Sequence, residues 1–268
     1  MKPDFSEFSY GYAVTEELVS AHQATLIAAP LFPSLYEEGK TGGGYDVKIP
    51  LAGVPVFLQF KLCERLERSN SKEYQSGLLQ LPYYRMHIRP TKHSSQHNLL
   101  LKLEESGESV FYIAPEFHLP AELNDFYLKK SVIDNSAAFS PQAIGPMPDD
   151  NEHYIVFERG SSDAYRCSDD SRVFPKLNLS DSLRFLLSKQ GKNHGETGEA
   201  VLRKITGEML SVLETEIKHR RQSELFDQSE LFDLNLLRKI AANRNPVEAA
   251  GFISRNFFDA ELLLLGGT

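Results

Sequence analysis

GGGYDVKIPLAGVPVFLQFKL, residues 42–62, contains two runs of alternating apolar side chains on either side of an Ala-Gly pair. Alternation with a period of two is typical of β-strands, and a glycine between two such runs favours a turn. The sequence therefore predicts a β-hairpin. If the turn is centred between Ala52 and Gly53, Asp46 lies opposite Gln59 in the antiparallel pair.

This register brings three polar side chains to one face of the hairpin. Directly opposed residues point to the same face, and so do residues two positions apart on one strand. Lys61 therefore joins Asp46 and Gln59. The second strand is apolar on both faces before Gln59, which is typical of a central strand. We expect the polar cluster at the C-terminal end of that strand.

The elements around the hairpin follow the order α-β-β-β-α-β. A first helix is predicted with Thr15 as its N-cap, acids in its first turn and a partly apolar stripe after them. The hairpin supplies two strands, and the aromatic and β-branched content of residues 81–89 predicts a third. Residues 94–105 are predicted as a short helix and residues 110–114 as a buried strand.

Asp46, followed after a spacer by Gln-Phe-Lys at 59–61, resembles the Asp…(Glu/Gln)-X-Lys signature of the PD-(D/E)XK, or restriction-endonuclease-like, nucleases. The core of that family has the same order of elements. The resemblance covers roughly residues 10–115 and implies an α/β fold with an αβββαβ core and a mixed central sheet. Tyr45 stands where many members have Pro. Gln59 replaces the commoner Glu, as in effector nucleases of bacterial anti-phage systems.

These groups are suited to metal-dependent hydrolysis of a phosphodiester. A divalent cation neutralises a phosphoryl oxygen and activates a water, and Mg²⁺ prefers hard oxygen ligands. In the implied site, Asp46 supplies a carboxylate and Gln59 an amide oxygen to the cation. Lys61 orients or deprotonates the attacking water, or stabilises the charge of the transition state. The expected cofactor is Mg²⁺ or Mn²⁺.

One carboxylate and one amide leave the cation short of ligands, so a second acid is expected. In many relatives the first helix supplies it, which makes Glu17 the candidate metal ligand and catalytic residue. The alternatives are Glu16 beside it and Glu37 and Glu38 ahead of the glycines. Acids in a first turn also stabilise a helix through its dipole without any catalytic role.

A second group of residues bears on phosphate binding. The run GKTGGG at 39–44 is not a Walker loop, because Ser34 stands where that motif requires a glycine. Basic side chains after the hairpin predict a stripe for a DNA backbone, whereas the interleaved acids favour an ordinary solvated surface. The basic residues are Arg65, Arg68, Lys72, Arg85, His87, Arg89, Lys92 and His93.

Composition limits the class of protein. The chain has 268 residues, 41% of them hydrophobic, which is enough for one large or two modest domains. Its net charge of −8 opposes non-specific coating of nucleic acid. Cys63 and Cys167 lie far apart without metal-binding spacing, as in proteins of a reducing cytoplasm. The absence of a signal-peptide core and of a long apolar run predicts a cytoplasmic protein without a membrane span.

The chain is predicted to contain a nuclease-like domain at 1–175 and a helical C-terminal region at 176–268. Strands at 153–157 and 164–167 are expected to extend the central sheet. Apolar residues at helical spacing between 201 and 217 predict a long helix.

Three features of the C-terminal region add to this prediction. A tandem Ser-Glu-Leu-Phe-Asp at 223–233 favours a packing element, and Asn245 followed by Pro246 predicts a helix start. The leucines at 262–265 require burial, against this region or against another subunit. They favour a homodimer or a protein partner.

The sequence thus predicts a Mg²⁺-dependent endonuclease that hydrolyses phosphodiester bonds of double-stranded DNA. The Gln-containing resemblance implies a role in bacterial anti-phage defence. The alternative is a catalytically inactive member of the same fold, in which Gln59 marks the loss of metal binding. Such a protein would bind DNA or act as a scaffold in a defence complex.

Overall fold

A computed structural model shows an α/β fold with a mixed sheet, as the sequence predicts. The described residues are 1–22, 53–90, 92, 94, 96–167, 172–190, 198–222, 234–258 and 260–266. The first strand of the predicted hairpin, with Asp46, lies outside these residues. So do Glu37, Glu38, the glycines at 39–44 and the tandem repeat at 223–233.

Helices and strands alternate through most of the described chain. The helices are α1 (Glu7–Ala21), α2 (Lys72–Gln75), α3 (Gln96–Glu105), α4 (Pro120–Leu128), α5 (Pro141–Ile144), α6 (Leu179–Gln190), α7 (Gly198–Gln222), α8 (Leu234–Asn243) and α9 (Pro246–Ile253). The strands are β1 (Gly53–Phe60), β2 (Cys63–Leu66), β3 (Tyr83–Ile88), β4 (Ser109–Pro115), β5 (Ser136–Phe139), β6 (His153–Glu158), β7 (Asp163–Cys167), β8 (Arg172–Pro175) and β9 (Glu261–Gly266). Among the described residues, none of the helices has the length and apolar character needed to cross a membrane.

The chain divides into two compact units that interleave along the sequence. The first comprises Met1–Gln23, Gln59–His97 and Phe111–Phe185, and the second comprises Ala24–Leu58, Asn98–Val110 and Leu186–Thr268. The elements β1, α3 and β4 each contribute residues to both units. The predicted domains at 1–175 and 176–268 are consecutive, whereas these units alternate along the chain.

The first unit contains an antiparallel sheet of order β2-β3-β6-β7-β8. The strand predicted at 81–89 is present as β3, but it pairs with β2 and β6. The expectation that β6 and β7 extend the central sheet is therefore wrong. The physical reason is a separate apolar core, in which Tyr83 of β3 and Val156 of β6 pack with Leu79.

The strands β1 and β4 belong to the other sheet, which has the order β5-β4-β1-β9. The strands β4 and β9 occupy both edges of β1, so the predicted hairpin pairing, with Asp46 opposite Gln59, is wrong. In the first unit, β4 pairs antiparallel with β5, and the Lys61 N–H donates to the Ile113 carbonyl over 2.9 Å, next to the end of β1. In the second unit, β1 pairs antiparallel with β9, from Gly53 opposite Gly266 to Leu58 opposite Glu261.

The pairing of β9 corrects the prediction that the chain is helical to its end. The strand β9 supplies β1 with a hydrogen-bonded neighbour, and Leu262 is buried within its own chain. The expectation of a homodimer or a protein partner at the leucines of β9 stays a prediction. The helical prediction holds for the stretch before them, which contains α6 to α9.

Local capping explains where several helices begin. The helix α1 starts earlier than predicted, because the Ser6 side chain accepts the Ser9 N–H over 3.0 Å. Thr15, the predicted N-cap, lies inside this helix and is buried. The prediction for α9 is confirmed, since the Asn245 side chain accepts the Val247 N–H over 2.9 Å.

Candidate functional site

The end of β1 directs its side chains to two opposite faces. The Phe60 ring packs edge-on against Tyr10 of α1, with ring centroids 6.0 Å apart. The same ring lies against Gly11, where an added Cβ would be 2.9 Å from its Cδ2 atom. Because side chains alternate along extended backbone, Gln59 and Lys61 point away from α1.

On that opposite face, Gln96 of α3 joins Gln59 to Lys61. The Gln96 Nε2 donates to Gln59 Oε1 over 2.8 Å, and Lys61 Nζ donates to Gln96 Oε1 over 2.9 Å. The Gln59 side chain is only 2% exposed, and its Nε2 donates to the Phe60 carbonyl over 2.9 Å. Two of the predicted site residues are therefore brought together, through a third that the sequence did not single out.

The network fixes the orientation of both amides. An ammonium group can only donate hydrogen bonds, so the Gln96 oxygen must face Lys61 and its nitrogen must face Gln59. The Gln59 oxygen then accepts from Gln96. This ordering holds the Lys61 charge and an amide oxygen at fixed positions within one part-buried network.

The neighbouring residue, His97, anchors the start of α3. Its Nε2 donates to the Gly145 carbonyl over 2.8 Å, and its Nδ1 lies 3.1 Å from the Tyr112 hydroxyl of β4. Burial lowers the pKa of His97 to about 4, so the imidazole is neutral at pH 7. His97 therefore has a structural role, and its two contacts position the adjacent Gln96.

The predicted ligand Glu17 is used elsewhere. Its Oε2 accepts the Val132 N–H over 2.7 Å, and no described hydrogen bond or ion pair connects it with Gln59 or Lys61. Burial raises the pKa of Glu17, and its bonds to backbone N–H groups lower it in part. The Glu17 carboxylate thus accepts hydrogen bonds from backbone N–H groups of a turn, in the place of water. This corrects the expectation that Glu17 joins the candidate site.

The alternative acid, Glu16, is engaged at the surface. It forms an ion pair of 2.5 Å with Lys130 and accepts a hydrogen bond from Ser20, and these bonds lower its pKa. The remaining candidates Asp46, Glu37 and Glu38 lie outside the described residues. Within the described ranges, no three His, Cys, Asp or Glu side chains are grouped so that they could hold a metal ion.

Nearby acids pair with part of the predicted basic stripe. Arg85 of β3 pairs with Glu64 of β2 over 2.8 Å, and Arg65 pairs with Glu67 over 2.7 Å. The exposed His87 pairs with Glu152. Arg68, Lys72, Arg89 and Lys92 are exposed too, and His93 lies outside the described residues. The paired residues are therefore explained better as an ordinary solvated surface than as a stripe that binds a DNA backbone.

Comparisons with protein-family models, with curated proteins and with solved structures found no match. The functional argument therefore rests on the residues themselves and on the geometry of the Gln59–Gln96–Lys61 network. That geometry presents an amide oxygen and an ammonium group on one face at the end of a central strand.

Proposed function

We propose that this protein is a metal-dependent nuclease that hydrolyses DNA phosphodiester bonds, with Asp46, Gln59 and Lys61 at its active site. The observation that supports the proposal most is the bridge formed by Gln96, because it holds an ammonium group and an oxygen donor side by side. The two residues were expected to share a face from their spacing alone. Burying the Gln59 amide and ordering the Lys61 side chain both cost free energy, so a functional role explains this part-buried network better than a solvated surface does.

Each residue has a defined role in this proposal. Asp46 and Gln59 supply oxygen ligands for Mg²⁺ or Mn²⁺, and the bound ion neutralises a phosphoryl oxygen and activates a water. Lys61, held by Gln96, places a positive charge where negative charge develops in the transition state. Gln96 acts through Lys61 and Gln59 and is therefore a positioning residue.

The finer fold proposal is a restriction-endonuclease-like core built on β1, α3 and β4. The strand β1 carries Gln59, α3 follows it in the chain and carries Gln96, and β4 accepts the Lys61 N–H. In this interpretation, β2 and β3 stand apart from that core, in the five-stranded sheet that they form with β6, β7 and β8. The resemblance further suggests a bacterial cytoplasmic protein that acts against phage DNA.

A specific observation also favours the inactive alternative. Glu17 is bound to a backbone N–H, so the helix that supplies a second acid in many relatives does not do so here. Gln59 is then the one oxygen ligand that the described part of the chain offers to the cation. A protein of this kind would bind DNA without cleaving it.

A plasmid assay with Mg²⁺ or Mn²⁺ distinguishes the nuclease from the inactive DNA-binding subunit. For the nuclease, we expect nicking or linearisation that EDTA stops and that Asp46→Ala and Lys61→Ala reduce by roughly 10²-fold or more. Lys239→Ala removes an equal charge from an exposed position outside the predicted basic stripe and should leave the rate unchanged. Intact plasmid with retained gel mobility shift would instead identify a DNA-binding subunit.

A further inference from the structure

A cavity of about 290 Å³ lies in the second unit between α7, α8 and the start of α9. Its walls are mainly small and apolar, with Gly207 on α7, Ala241 on α8 and Ala249 on α9. Thr206 also lines it, but its hydroxyl donates to the Leu202 carbonyl over 2.7 Å. The walls are therefore suited to an apolar body.

Packing among the described residues does not explain the glycine in this wall. Gly207 lies in the interior of α7, where glycine is less favourable than alanine. A Cβ added there would meet no described atom within 4 Å, so the described packing leaves room for a side chain. Close approach of an occupant to the helix backbone would explain why this position has no side chain.

The rim of the cavity is positively charged. Arg203 lies one helical turn before Gly207, so the two share a face of α7. Arg203 is exposed and forms no hydrogen bond or ion pair with any residue that the structure describes. Opposite it, Arg238 of α8 is held by Glu214, to which its Nε donates over 3.0 Å. Pro246, in the first turn of α9, adds the positive end of a helix dipole.

We propose that this cavity binds a small organic oxyanion: a carboxylate or a phosphate monoester carried on an apolar body about the size of an aromatic ring. The Arg203 guanidinium binds the oxyanion through paired N–H groups, and Arg238, whose charge Glu214 balances, is held by that contact beside the same rim. The apolar body lies against Gly207 and the alanines. A cation is disfavoured by Arg203, and a polar body would leave its hydrogen-bonding groups unpaired on these walls.

The test uses the full-length protein and a matched set of aromatic probes. Benzoate, phenyl phosphate, benzylamine, benzyl alcohol and inorganic phosphate are titrated by calorimetry and by thermal unfolding. We expect saturable binding and a higher Tm with benzoate or phenyl phosphate, and none with benzylamine. Tighter binding of benzoate would identify the carboxylate as the preferred group, and tighter binding of phenyl phosphate would identify the phosphate ester. Equal binding of benzylamine, or no saturable binding of either anion, would overturn the proposal.

Two variants locate the binding. Arg203→Gln should weaken the preferred anion roughly tenfold, the loss expected for one charged hydrogen bond. Lys239→Gln removes the same charge from an exposed position of α8 that does not line the cavity, and it should bind as the wild type does. Gly207→Leu should block the apolar body, and Gly207→Ala gives a milder version if the leucine variant is unstable. Unchanged binding in Arg203→Gln and Gly207→Ala would place the anion elsewhere and contradict the assignment.

Discussion

The carboxyl groups of Glu108 and Glu208 lie next to each other in the second unit. Burial, together with the interaction with Glu208, raises the pKa of Glu108 to about 8, against the opposing effect of Lys204. Two carboxyl groups can share a hydrogen bond only while one of them is protonated. The pair is therefore expected to keep a proton near neutral pH.

This pair predicts a pH dependence of stability. The pKa of Glu108 is higher in the folded than in the unfolded chain, so its contribution is fully present below the unfolded value of about 4.5 and is lost as the pH rises through about 8. Glu108→Gln can still donate to Glu208 but does not titrate. We expect the urea midpoint of the wild type to fall over this range more steeply than that of Glu108→Gln. Parallel pH profiles for the two proteins would exclude the shared proton.

Two glycines in helices predict opposite effects of the same substitution. Gly11→Ala should destabilise the protein by about 1–3 kcal/mol, because its Cβ would lie 2.9 Å from the buried Phe60 ring. Gly207→Ala should stabilise it by about 0.5–1 kcal/mol, because its Cβ meets open space. Urea unfolding measures both. If Gly11→Ala stabilised the protein, Phe60 would not face α1. The argument that Gln59 and Lys61 point away from α1 would then no longer hold.

The candidate site shows which residues could be predicted from the sequence. Gln59 and Lys61 share a face because they are two positions apart in extended backbone, and that follows from spacing alone. The part that Gln96 plays in the site could not be predicted from spacing, because it depends on where α3 packs. His97 fixes that position through contacts with Tyr112 and Gly145. Glu17 was placed in a first turn, but α1 begins at Glu7, so this acid lies well inside the helix.

At the scale of elements, β9 is an edge strand of the sheet and lies next to β1. The strand pairs with β1 along six residues, and Leu262 lies opposite Phe57, which is fully buried. Apolar burial on this strand should therefore contribute to the stability of the chain itself. It does not depend on a partner subunit.

Leu262→Ala should lower the free energy of unfolding by about 2–4 kcal/mol, the usual cost of truncating a buried leucine. Leu128→Ala, at a side chain that is 72% exposed, should change it by less than about 0.5 kcal/mol. Chemical denaturation at several protein concentrations checks both. A midpoint for Leu262→Ala that differs from the wild type only at high concentration would show that the leucines form an interface between copies.

Elements with strong local signals were predicted well, and their partners were not. Asn245 before α9 marks a helix start through local chemistry, because its side chain caps the first turn. The strand β3 was recognised from its composition, but its partner β6 lies far along the chain. Strand patterns indicate which face is buried and carry no information about the neighbouring strand. The β9 strand was missed because a run of leucines suits a helix and a buried strand equally.

For the whole molecule, charge limits how DNA can be bound. The net charge is −8, and acids neutralise Arg65 and Arg85. Long-range attraction to the phosphate backbone is therefore weak, and a bound cation must supply much of the affinity.

We expect gel retention of a short duplex by Lys61→Ala to be at least about tenfold stronger in Mg²⁺ than in EDTA. This variant keeps the proposed metal ligands, so cleavage does not interfere with the measurement. Binding should also show a shallow dependence on salt, since few phosphates are neutralised by protein side chains. Tight binding in EDTA with a steep salt dependence would point to a basic surface that the paired residues do not provide.

The central claim is that Gln96 and Lys61 act as one unit in DNA cleavage, and a double-mutant cycle of Mg²⁺-dependent plasmid cleavage rates tests it most directly. The proposal predicts slower cleavage by roughly tenfold or more for Gln96→Ala and roughly 10²-fold for Lys61→Ala. It also predicts that the double variant is no slower than Lys61→Ala alone, because Gln96 acts by holding Lys61. The claim would be contradicted if the double variant lost cleavage rate by the product of the two single losses. It would also be contradicted if Gln96→Ala cleaved at the wild-type rate, or if the wild type did not cleave at all.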